Sequence, residues 1–182
     1  NGSSAVNRGT IHNGDTFGMW ISQGTGENYA TIKNNSAYGM WSQSGATIVN
    51  QVGGVIQNTG NNGMNVSGTG SILRTGINQG LIANTGEQGM SSTGINGSII
   101  NNGTIQNLLK VGMQASAGAT ALNTGLIANA GSRGMFADTG ASAINEGAIR
   151  KIVASGMRAE SGGYIENKET GIIQNTGSVG MY

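Results

Sequence analysis

Asp138 and Glu160 occupy equivalent places in consecutive copies of a repeat, with Arg133, Arg150, Lys151 and Arg158 close by. Two carboxylates at a fixed separation are the core equipment of glycoside hydrolysis, one giving a proton and the other acting as base or nucleophile. Here the surrounding charges are cations, and the residues read more simply as solvated ion pairs on a polar face. His12 is the single histidine and cysteine is absent. No His/Asp/Glu grouping has metal-ligand spacing, and calcium-binding nonapeptide repeats are missing. The Gly-rich stretches lack the following helix that a phosphate loop requires. We therefore expect no catalytic residue, no metal, no cofactor and no enzymatic activity. A β-helical polysaccharide hydrolase or lyase is the alternative, and it would need long loops flanking a groove.

Four aromatic residues form the best candidate contact. Trp20 and Trp41 each follow a Gly-Met pair, and Phe17 and Tyr38 each precede one, in adjacent repeats. Exposed aromatics often mark interfaces, so a sugar ring or a protein loop could rest on this edge. A ladder of rings that merely stabilises the stack is the competing interpretation.

The background to these residues is unusual. The chain of 182 residues has 34 Gly, no Pro, 9% charged residues and a net charge of +1. No basic run exists to bind nucleic acid or anionic lipid. No stretch approaches the roughly 18 apolar residues of a membrane span. The hydrophobic fraction of 36% is concentrated at recurring positions, which points to a folded chain rather than a disordered one.

Those positions define a repeat. Met19, Met40, Met64, Met90, Met113, Met135, Met157 and Met181 each follow a Gly. Eight residues before them stand Ile11, Ile32, Ile56, Ile82, Ile105, Ile127, Ile149 and Ile173. Asn lies two residues after the Ile at Asn13, Asn34, Asn58, Asn84, Asn107, Asn129 and Asn175, with Lys151 the exception. The Met-to-Met spacing runs 21, 24, 26, 23, 22, 22 and 24, so every change of length falls between a Met and the next Ile. A constant segment joined to an elastic one is the signature of a solenoid.

Gly interrupts every run before a helix could form, while short β-branched segments suit strands. Two strands carry the Ile and the Met, and a third ends on Asn in "GINQG", "IINNG", "ALNTG" and "AINEG". We expect an all-β, single-stranded parallel β-helix with three short strands in each coil of about 23 residues and roughly 7–8 coils. Parallel crossovers are nearly always right-handed, which sets the expected hand. Period-2 alternation directs Ile and Met inward, together with the Asn two residues after the Ile, which should form an internal amide ladder. The Gly columns are expected to supply corners with positive φ. An ice-binding array would need a flat run of Thr, but the outward column at Thr10, Thr31, Val55, Leu81, Thr104, Leu126, Ala148 and Ile172 has only three.

The phrase "G-x-I-x-N-x-G-x-x-G-M", as in "GLIANTGEQGM" and "GLIANAGSRGM", resembles the passenger repeats of large type V autotransporter adhesins, fusobacterial ones in particular. The resemblance covers nearly the whole chain. It implies a virulence-associated adhesin, secreted to the bacterial cell surface and tethered to the outer membrane by a C-terminal barrel outside this sequence. Residues 1–182 would then be one β-helical segment of a longer passenger domain. Its partner would be a protein or glycan receptor on host cells or other bacteria, with no insertion of this segment into the membrane. Open coil ends would also favour end-to-end self-association of such a segment.

Overall fold

The computed structural model describes residues 2–12, 14–68 and 72–182. Among them every regular element is a β-strand, and the strands form three parallel sheets. The first sheet stacks Ser3–Asn7, Gly24–Asn28, Ala46–Asn50, Arg74–Asn78, Gly97–Asn101, Thr120–Asn123, Ser142–Asn145 and Tyr164–Asn167. The second stacks Thr10–His12, Thr31–Lys33, Val55–Gln57, Leu81–Ala83, Thr104–Leu108, Leu126–Ala130, Ala148–Ile152 and Ile172–Thr176. The third stacks Phe17–Ile21, Tyr38–Ser42, Met64–Val66, Gln88–Thr93, Val111–Ser116, Arg133–Asp138 and Ser155–Ala159. Each strand pairs with its counterpart one turn away, so the chain is a parallel β-solenoid of about eight turns with about 22 residues per turn. We call the three faces the Asn, Ile and Met sheets after the ladder each contributes to the interior.

Ile32, Ile56, Ile82, Ile105, Ile127 and Ile149 pair in register and are fully buried, while Ile11 and Ile173 are only partly covered. Met40, Met64, Met90, Met113, Met135 and Met157 are likewise fully buried, and Met19 is nearly so. Met181 bridges only to Met157 and is 44% exposed. Each buried Ile or Met contributes about 1.5–3 kcal/mol relative to exposure. Ile21, Ser42, Val66, Ser92, Ala115 and Ala137 complete the buried side of the Met sheet.

Packing explains why Gly-Met and Ile keep a constant offset. A Cβ on Gly112 would collide with Cγ2 of Ile127 in the next turn and with the carbonyl oxygen of Gly134. The same Ile methyl group fills the place of the missing Cβ at Gly18, Gly39, Gly63, Gly89, Gly134 and Gly156. Gly is required there for space, not for φ, which corrects the expectation that these columns make left-handed corners. Positive φ occurs instead where the Met sheet leads into the Asn sheet, as at Ser44-Gly45, Ala117-Gly118, Thr139-Gly140 and Ser161-Gly162. Two successive positive-φ residues closed by a bond such as Ala46 N to Gln43 O (3.0 Å) make a type I′ turn.

The internal amide ladder is also not where alternation places it. Asn34, Asn58, Asn84, Asn107, Asn129 and Asn175 are exposed, with φ between 54° and 57°. Asn13, the first of that column, lies outside the described residues. Asn enters the left-handed region more readily than most residues with a Cβ, and there it turns the chain instead of continuing the pleat. Alternation therefore resets, and the inward position falls one residue later, at the buried Asn35, Thr59, Thr85, Leu108, Ala130 and Ile152. Lys151, the exception in the column, shares the geometry at φ 54° and is exposed.

The interior ladder belongs to the Asn sheet. Asn7, Asn28, Asn50, Asn78, Asn101, Asn123, Asn145 and Asn167 end its strands, and each Nδ2 from Asn7 to Asn145 donates to Oδ1 of the next turn at 2.7–2.8 Å. The same amide groups tie down the corner that follows, as when Asn101 Nδ2 donates to Gly103 O at 3.3 Å. After Asn50 and Asn167 that corner is longer, running through Gln51-Val52-Gly53-Gly54 and Lys168-Glu169-Thr170-Gly171.

Candidate functional site

The outer surface of the Met sheet is organised by the Gly-Met bend. Gly and Met both face inward, so the residue before the pair and the residue after it both face outward. Register then builds two outward columns, one beginning Phe17 and Tyr38 and the other Trp20, Trp41, Asn65, Ser91, Gln114, Phe136 and Arg158.

In the first two turns these columns bring the four aromatic residues together. Phe17 stacks on Tyr38 at 5.7 Å between centroids and on Trp41 at 4.7 Å. Trp20 lies over Trp41 at 6.0 Å, and Tyr38 lies 5.9 Å from Trp41. Trp41 is the hub, fixed further by Nε1 donating to Ser67 Oγ at 2.6 Å. Trp20 is the accessible member, 57% exposed, while the other three rings are half-buried. The arrangement is an amphipathic ring platform whose solvent-exposed member is Trp20.

Further along the same columns the chemistry changes. Gln88 Nε2 donates to Gln114 Oε1 at 3.1 Å, and the guanidinium of Arg133 sits 4.3 Å over the Phe136 ring. Glu160 is paired with Arg158 and lies 3.8 Å from Arg133. The carboxylate of Glu160 is thus held in ion pairs.

A second feature follows the corner between the Ile and Met sheets. A groove of about 780 Å³ runs along the first five turns, bordered by Asn34, Asn58, Asn84 and Asn107 and floored by Gly60 and Gly86. The exposed amides are linked, Asn58 Nδ2 donating to Asn34 Oδ1 at 3.1 Å and Asn84 Nδ2 to Asn58 Oδ1 at 3.2 Å. This outer ladder donates backward along the chain, opposite to the buried one. Asp15 and Ser36 line the groove, and Phe17 and Tyr38 follow each of them by two residues. Groove and ring platform are therefore neighbours on the first two turns. The groove was not foreseen from the sequence; the signal for it was the run of Gly two residues beyond Asn58 and Asn84, which leaves the corner without side chains.

Among the described residues, no group of three or more His, Cys, Asp or Glu side chains is placed to hold a metal ion. Comparison with protein-family models, with curated proteins and with solved structures returned no match.

Proposed function

We propose that this chain is a stalk segment of a bacterial surface adhesin of the autotransporter type, acting by contact and not by catalysis. The observation that carries the reading is the ring platform, with Trp20 exposed, on a solenoid whose repeated Ile and Met are spent on internal ladders. A three-sheet stack with every strand paired to the next turn is stiff and extends by simple repetition, which suits a spacer that presents a surface away from a cell. The repeat phrase and its resemblance to passenger domains supply the cellular setting: outside the bacterium, anchored through another part of the protein, facing a receptor on a host or bacterial cell.

Beads coated with the protein test this. Adhesion to epithelial cells or to co-resident bacteria should exceed that of uncoated beads and fall in the Trp20→Ala variant, whose fold is checked by its thermal transition. Equal attachment of coated and uncoated beads would refute the adhesive reading.

A further inference from the structure

We propose that the groove along the Asn34–Asn58–Asn84–Asn107 corner binds a neutral, hydroxyl-rich oligosaccharide chain lying parallel to the solenoid axis. The inference rests on the adhesive reading and names the ligand class for it.

Three observations lead there. First, the amide ladder repeats one polar unit per turn, about 4.8 Å apart. Asn58 gives one N–H to Asn34 and accepts one from Asn84. An amide has two N–H groups and two lone pairs, so Asn58 keeps one donor and one acceptor for a ligand, while Asn107 accepts from Asn129 instead of joining Asn84. A chain of hydroxyl groups, each both donor and acceptor, matches that pairing; a carboxylate or phosphate, which only accepts, does not.

Second, Asp15 is the only charged side chain among the described residues lining the groove. It stands at one end, where it would repel an anionic polymer. At the other end Leu109, which is 73% exposed, rises where the two preceding turns have Gly60 and Gly86, and bounds the trough. Between Asp15 and Leu109 the floor spans four inter-turn steps, about 19 Å, which is long enough for several sugar units in line.

Third, the ring platform lies beside the Asp15 end. Aromatic faces pack against the apolar C–H face of a sugar ring while amides take its hydroxyls. Trp20 is exposed, and Trp41 beneath it is anchored by its bond to Ser67.

The test is calorimetric titration with cello- and chito-oligosaccharides, from disaccharide to hexasaccharide, against the protein and the triple variant Asn34→Gly, Asn58→Gly, Asn84→Gly. Glycine accepts the positive φ of these positions, so the variant removes the amides without straining the backbone. Affinity should climb with chain length until the groove is spanned and then level off. The triple variant, with an unchanged melting transition, should bind at least about tenfold more weakly, a loss of about 1.4 kcal/mol or more. Absence of binding by any neutral chain, binding without length dependence, or tighter binding of oligogalacturonate would overturn the proposal. Bead adhesion that persists in the triple variant while oligosaccharides fail to bind would leave the adhesive reading standing and remove the groove from it.

Discussion

Asn78 donates its side-chain N–H to the side-chain carbonyl of Asn101 at 2.8 Å, and both residues are fully buried. This bond is the middle rung of the seven that run the length of the solenoid. Replacing Asn101 by Ala breaks the rungs on both sides and leaves Asn78 without its acceptor and Asn123 without its donor. We expect a loss of about 2–4 kcal/mol in urea unfolding, because each orphaned buried group costs about 1–3 kcal/mol. Asn107→Gly, in the exposed column, should change stability by no more than about 0.5 kcal/mol.

The Gly112–Ile127 contact is expected to show coupling. Gly112→Ala forces its new methyl group onto Ile127 and should cost about 1–3 kcal/mol or more, as overpacking does. Ile127→Ala alone removes core volume at about 2–5 kcal/mol. The double variant should be less destabilised than the two losses added, by at least about 0.5 kcal/mol. Strict additivity in denaturant titrations would mean that the two positions do not share the space.

Arg74 interrupts a column that otherwise holds small residues, including Ala46, Ala119 and Ala141. It is 1% exposed; among the described residues Nε and Nη2 find no hydrogen-bond partner, and Nη1 donates to Ile72 O at 3.4 Å. A buried, poorly partnered cation is destabilising relative to an apolar side chain of similar length. Arg74→Met should therefore raise the melting temperature, by about 2–6 °C for a domain of this size. A lower value would mean that the guanidinium is better satisfied than its geometry indicates.

The two tryptophans are expected to separate. Trp41→Ala removes the hub of the platform and the bond to Ser67, and should destabilise by about 2–3 kcal/mol. Trp20→Ala loses only an exposed ring and should stay within about 1 kcal/mol. Near-equal values in thermal unfolding would place Trp20 inside the structural ladder and weaken the case for a ligand platform.

The repeat was readable because Ile, Gly and Met recur at fixed distances, and those distances are imposed by contacts between turns. The place of the amide ladder was misjudged for one reason. Period-2 alternation assumes extended backbone at every residue, and the Asn after each Ile-x is not extended. Two signs pointed the other way. Lys151 stands in that column, and a fully buried rung would not accept a lysine without a partner. The Asn at the end of the third strand is present in every turn from Asn7 to Asn167. The groove was hidden partly for the same reason, since the left-handed Asn swings its side chain outward to border it while Gly60 and Gly86 leave its floor bare.

The two asparagine ladders are proposed to do opposite work: the buried one holds the turns together, and the exposed one meets a ligand. Side-chain amide hydrogen exchange, followed residue by residue by NMR, measures this directly. The amide protons of Asn28, Asn50, Asn78, Asn101, Asn123 and Asn145 should be strongly protected and unmoved by added oligosaccharide. Those of Asn34, Asn58, Asn84 and Asn107 should exchange rapidly and shift when oligosaccharide is added. Protection of the second set equal to that of the first, or shifts confined to the first, would contradict it.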